Sequence, residues 1–132
     1  MMLRTKCIKA PIEPSDGLRI SVMSRHTLND GVTPDLEIID AMFDEHRPDL
    51  APPIKLVGSY YKSGLDWRIF EKEYVDYLRL PEVDNQVLKL ANFALNNTVT
   101  IMCVELEPEM CHRRLLAEHA RLLIPGLDVL IR

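Results

Sequence analysis

Residues 98–131 constrain this chain more than any other stretch. A nearly continuous apolar run, TVTIMCV, leads into ELEPEMCHRR, then a helical pattern as far as Leu123, a Pro125-Gly126 break, and LDVLI. A short apolar run rich in β-branched residues and lacking alternation is the mark of a strand buried on both faces of a parallel sheet. Parallel neighbours need a crossover between them. Helix periodicity over Pro108 to Leu123 supplies one, so the stretch predicts a right-handed βαβ unit. The expected fold class is α/β, a small three-layer sandwich with a mainly parallel sheet. At 132 residues the chain fits a single domain over 1–132, long enough to bury roughly two-thirds of its unfolded surface.

The remaining elements are read from the same periodicities. MLRTKCIKA predicts a strand closed by Pro11, and LRISVMSR a second, with Leu18, Ile20 and Val22 on one side and Arg19, Ser21 and Met23 on the other. Leu36 to Asp44 predicts a short helix capped by Thr33 or Asp35. The Pro- and Gly-rich stretch HRPDLAPPIKLVGSYYKSG is expected to be largely irregular, and loops of that length are often functional. LDWRIFEKEYVDYLRL carries a helical stripe of Leu65, Ile69 with Phe70, Tyr74 or Lys72, Tyr77 and Leu78. Pro81 ends that helix and starts another, with stripe Val83, Val87, Leu90, Ala91 and Ala94. Trp67, Phe70 and Tyr74 read as core.

Composition removes several function classes. A net charge of −4 and a pI near 5.5 do not favour a general grip on nucleic acid or anionic lipid. No apolar stretch approaches the roughly 18 residues of a membrane span, and the opening MMLRTKCIKAP lacks the apolar core of a secretion signal. Cys7, Cys103 and Cys111 make an odd number, unlike a disulfide framework. The expectation is a cytoplasmic protein with reduced thiols and no membrane partner.

The joint MCVELEPEMCHRR holds the chemistry. Ligands bind beyond the carboxyl ends of strands in open α/β sheets, where Cys103 and Glu105 fall. With Pro108 in the first helical turn, Cys111, His112 and Arg113 sit within the first two turns, near unpaired backbone N–H groups and the positive end of the helix dipole. An anion there would meet helix amides and an arginine fork, and the same field would activate the Cys111 thiol. Glu105 is a candidate acid/base, with Cys111 and His112 as helpers. Cys103 reads either as a small hydrophobe of the strand or as a ligand contact. Arg25, at the end of the second strand, is placed near Cys103 and Glu105, where it joins Arg113 and Lys62 in a basic cleft or else caps Asp30. Tyr60-Tyr61-Lys62 is positioned to cover it. His112 and His119 share a helix face, yet no zinc motif has the spacing of these cysteines and histidines. A phosphatase pattern fails because Ala117 stands where its arginine would be. No metal and no cofactor is expected.

CVELEPEMCHRRLLAE also resembles the C-terminal signature of the family catalogued as domain of unknown function 488, a Cys-x-Glu strand end followed by a Pro-containing turn and Cys-His-Arg. It falls here on Cys103, Glu105, Pro108, Cys111, His112 and Arg113. DGLRISVMSR is similar to the Asp-Gly-x-Arg strand of shorter members, and Trp67, Phe70 and Tyr74 to their Trp-x-x-Phe-x-x-x-Tyr helix. The glycine-serine motif and Asp-Val-Arg strand end of longer members are missing. The resemblance implies the fold and the place of the site, and it names no reaction.

Two functions stay open on the residues alone. One is an enzyme binding a small anionic ligand, nucleotide or phosphate-like, with Arg25, Cys103 and Arg113 as contacts and Glu105, Cys111 and His112 as chemical groups. The other is a non-catalytic module for nucleic acid or a protein, in which Cys-His-Arg is structural.

Overall fold

Five strands, all parallel, form one sheet in the computed structural model, which describes residues 1–132. They are β1 (Met2–Cys7), β2 (Leu18–Ser21), β3 (Glu45–His46), β4 (Thr98–Cys103) and β5 (Val129–Leu130), in the order β3-β2-β4-β1-β5. The TVTIMC run is the central strand, paired with β1 along its whole length, Cys7 opposite Cys103, and with β2 on its other edge. Every residue of β4 but Thr98 is buried. That is why it reads as a continuous apolar run rather than an alternating one.

Alternation along the strands sorts their side chains. Leu3, Ile20, Val99 and Ile101 join one core with buried residues of all four helices, α1 (Ile54–Ser63), α2 (Trp67–Leu78), α3 (Pro81–Asn96) and α4 (His112–Leu123). Arg4, Lys6, Arg19 and Thr100 face the other way, where the third layer is made of loops and a 3-10 turn at Pro14–Asp16. Direction of travel explains the split. The chain moves one way across the sheet from β1 to β2 and the opposite way from β3 to β4 and from β4 to β5. Right-handed crossovers therefore put the helices on one face and the loop on the other.

The loop-covered face is held by charge. Asp16 is fully buried, and its carboxylate accepts from Lys6 Nζ at 3.1 Å and from Arg19 Nη1, with Arg4 Nη1 at 3.7 Å. Its backbone carbonyl accepts from Thr100 Oγ1 at 2.6 Å, tying the loop to the central strand. Gly17 makes this close approach available: its φ is +63°, and a Cβ would lie 2.1 Å from the Thr98 carbonyl oxygen. Gly17→Ala is expected to lose roughly 1–3 kcal/mol from the backbone conformation alone, with the steric clash added. Thermal unfolding of the variant measures it.

Several elements differ from their sequence expectation. The helix expected over Leu36–Asp44 is absent; only a 3-10 turn at Asp40–Met42 forms. Asp30 accepts from the N–H groups of Val32 and Thr33, and Asp35 from that of Glu37, local bonds that compete with a helix. Conversely, Ile54–Ser63, expected to be irregular, is α1. Pro53 precedes its first residue and Gly64 ends it in the left-handed region, φ 68°, the usual proline-before, glycine-after punctuation of a helix. The two-residue β3 was not expected, and β2 stops at Ser21. α4 starts at His112, four residues later than Pro108. Its N-cap is Cys111, in extended conformation, and Pro108–Cys111 is a turn closed by a 3.2 Å bond.

Candidate functional site

The carboxyl ends of β2 and β4 open onto a cleft of about 70 Å³ between the chain after β2 and the helical layer. Met23, Ser24, Arg25 and Thr27 line one side, Gly58, Tyr61 and Lys62 of α1 another, and Cys103, Val104 and His112 the floor. Of Tyr60-Tyr61-Lys62, Tyr61 and Lys62 line the cleft, from a helix rather than a loop, and Tyr60 does not. Sequence reasoning missed Val57, Gly58 and Phe70 as lining residues. The Pro52-Pro53 start and Gly64 stop were the signals that would have found the helix of Val57 and Gly58, whereas Phe70 lies on α2, a helix the sequence shows.

His112, the first residue of α4, is locked from behind. Its Nε2 lies 2.7 Å from the Val22 carbonyl, and its Nδ1 is 3.6 Å from Cys103 Sγ. A carbonyl only accepts, so Nε2 carries the hydrogen, and in the neutral ring Nδ1 is left as an acceptor for the Cys103 proton. The Tyr74 ring lies edge-on to the imidazole at 5.6 Å. A hydrogen bond with Cys111 draws the Cys103 thiol below its ordinary value of 9.0. Burial opposes this, while the Val104 N–H and the Arg113 charge add to it. Cys111 moves the other way, well above 9.0, through the same hydrogen bond and its own burial. Of the two thiols, then, Cys103 ionises first, and it is also the one that lines the cleft.

Arg25 and Lys62 give the cleft its positive charge. Neither takes part in any ion pair of the molecule, and Arg25 Nε is buried with no hydrogen-bond partner. Asp30, which Arg25 was expected to cap as an alternative, is engaged instead by Thr33 and the backbone of Val32. Those bonds, the one from the Thr33 hydroxyl foremost, hold its pKa at about 2.

Glu105 reaches the cleft only through Tyr61, whose hydroxyl donates to its carboxylate. Burial, then that carboxylate, push the Tyr61 pKa upward, so the phenol keeps its proton. Cys111 sits behind Cys103 and does not line the cleft. Arg113 is placed differently from its expected role as an anion contact. It is fully buried and donates from Nε to the Arg132 carbonyl (3.1 Å), from Nη1 to the Glu105 carbonyl (2.7 Å) and Cys111 Sγ (3.3 Å), and from Nη2 to the Leu106 carbonyl (3.3 Å). With its donors used this way, no fork is left for a ligand. His119 is also apart from the cluster, its Nε2 2.9 Å from Asp84.

The family model DUF488-N3a, described as the active DUF488-N3 subclade, matches residues 3–121. No curated protein and no solved structure matches the chain.

Proposed function

The chain belongs to the DUF488-N3a family, and on that premise we propose that it is an enzyme acting on a small anionic ligand held in the cleft between β4 and α1. The observation that carries the reading is one cleft presenting two cations without carboxylate partners, Arg25 and Lys62, beside the Cys103–His112 pair. An unpaired, partly buried guanidinium is costly in an acidic protein unless something anionic completes it.

Size narrows the ligand. Sites that enclose drug-sized molecules measure roughly 300–1,000 Å³, so about 70 Å³ takes in a phosphate or carboxylate group and leaves a nucleoside or other remainder at the mouth. Arg25 and Lys62 hold the anion, and the Tyr61 hydroxyl, fixed by Glu105, offers a polar edge. The Cys103 thiolate and His112 imidazole face the atom next to the anionic group. Such a pair can attack an electrophile or hold an ion.

Calorimetric titration with inorganic phosphate and with a nucleoside monophosphate tests the reading. Arg25→Ala and Lys62→Ala are each expected to weaken binding about tenfold or more, the worth of a charge-assisted hydrogen bond. Affinity unchanged in both variants, or no phosphate binding by the native chain, would overturn it.

A further inference from the structure

Spacing along the chain argues against a metal centre, since Cys103 and Cys111 are far from a Cys-x-x-Cys arrangement. Folding removes that objection. The strand-to-helix joint turns back on itself, and Cys103 Sγ, Cys111 Sγ and His112 Nδ1 all come within 4.8 Å of one another. From these positions we propose that the three residues bind a thiophilic divalent cation of the zinc class, with one coordination position left open toward the cleft. The proposal rests on the reading of the cleft as an anion site and specifies the form in which its reactive centre works: Cys103 serves as a thiolate ligand rather than a free nucleophile.

Four features carry it. Bond lengths of about 2.3 Å to sulfur and about 2.0–2.1 Å to nitrogen, at tetrahedral angles, imply a sulfur–nitrogen edge of roughly 3.6 Å and a sulfur–sulfur edge of roughly 3.8 Å. The Cys103 Sγ–His112 Nδ1 separation is 3.6 Å, and the remaining edges, under 4.8 Å, need a contraction on the order of 1 Å or less. Secondly, the outer shell is in place. The Val22 carbonyl holds His112 Nε2–H and so aims the Nδ1 lone pair inward, and Arg113 Nη1 donates to Cys111 Sγ at 3.3 Å. Metal-bound imidazoles and thiolates are commonly oriented by such partners.

Thirdly, Cys111 is the N-cap of α4 yet its side chain makes no capping hydrogen bond, so ligation would displace no helix contact. The field at that helix terminus favours thiolate. Fourthly, Arg113 is fully buried without a carboxylate partner. Two thiolates, one divalent ion and this guanidinium sum to a single positive charge beside Arg25 and Lys62, an excess that a bound anion offsets in part.

Two sulfurs and an imidazole select zinc-class ions over magnesium or calcium. Three protein ligands with a fourth position open is the pattern of catalytic rather than structural zinc. His119 and Cys7 stand outside the set, bonded to Asp84 and to the Val104 carbonyl.

Cobalt(II) added to the reduced, chelator-treated 132-residue chain is the test. The expected result is one ion per chain, with tetrahedral ligand-field bands and sulfur-to-cobalt charge transfer, displaced by one equivalent of zinc. Cys103→Ser, Cys111→Ser and His112→Asn are each expected to weaken cobalt binding by more than the roughly 10–100-fold that outer-shell partners contribute. Cys7→Ser and His119→Asn are expected to leave it unchanged. Circular dichroism of each variant without metal checks folding. Should one ligand variant not fold, the charge-transfer intensity of the other cysteine variant decides, since loss of one thiolate halves it. Absence of charge transfer in the native chain, or full binding by both cysteine variants, overturns the proposal. Phosphate binding that persists without cobalt binding sinks the metal centre and leaves the anion site standing. Cobalt binding with no phosphate affinity at any concentration tested removes the anion site, and a cobalt spectrum that phosphate shifts supports both.

Discussion

Asp16→Ala is expected to lower the unfolding free energy by about 3–5 kcal/mol, the range seen when one partner of a buried ion pair is removed. The residue is fully buried, and three cations converge on it from β1 and β2, Arg4, Lys6 and Arg19. Glu13 takes up only part of the Lys6 charge, from a half-exposed position. Without Asp16, three positive side chains are left between the sheet and its loop with only the half-exposed Glu13, beside Lys6, to balance them. Against a total stability of roughly 5–15 kcal/mol, that removes a large share of the margin, and at the low end it is enough to unfold much of the population. Urea unfolding measures it, and adding Lys6→Met to Asp16→Ala is expected to recover part of the loss, because it removes one uncompensated cation. A change under about 1 kcal/mol in Asp16→Ala would show that water, not Asp16, balances the cluster. The same group sets an acid limit. Burial raises the Asp16 pKa, but the Glu13 N–H, Lys6 and Arg19 outweigh it and hold the carboxyl below its ordinary 3.8. A depressed carboxyl contributes its full stabilisation above 3.8 and loses it as the pH falls through the lower folded value. Acid unfolding of the native chain is therefore expected to be steep below pH 3.8, and flatter in Asp16→Ala.

Arg113→Ala is the second large effect, expected at about 3–5 kcal/mol, as for other large buried side chains cut back to alanine. Four hydrogen bonds go with it; the carbonyls of Glu105 and Leu106 lose their side-chain donor, while that of Arg132 keeps the Thr5 hydroxyl at 2.9 Å. Arg113→Lys keeps the charge without the planar fork, so an intermediate loss is expected. Chemical denaturation separates the three forms. Phosphate affinity, read on the folded fraction, is expected to change little in Arg113→Lys, because the guanidinium does not line the cleft. A drop in affinity with an unmoved unfolding midpoint would return Arg113 to the ligand role its sequence position suggested.

That reversal marks a boundary between local and non-local information. From the joint alone, Arg113 and Arg25 look equivalent, each a cation at the end of an element that points toward one sheet edge. They are separated by what surrounds them: Arg113 meets three carbonyls of its own loop and the C-terminal residue, whereas Arg25 meets the cleft. Cys103 and Cys111 take positions other than the expected ones for a related reason. The helix starts at His112 instead of Pro108, which withdraws Cys111 behind the strand end and leaves Cys103 at the floor. The start is late because the turn at Pro108 and the carbonyls bound by Arg113 hold residues 105–111 out of helical geometry.

By itself the sequence determined the α/β class, the buried central strand, the helices α2 and α3, and the end of the sheet at which the cleft opens. These follow from periodicity and capping, interactions between residues a few positions apart. Only the tertiary structure decided that all four helices share one face, that the other is closed over a buried charge cluster, and that two thiols and an imidazole eight and nine residues apart converge on one point. Each of those depends on contacts between distant segments, and a spacing along the chain carries no record of where a loop turns back.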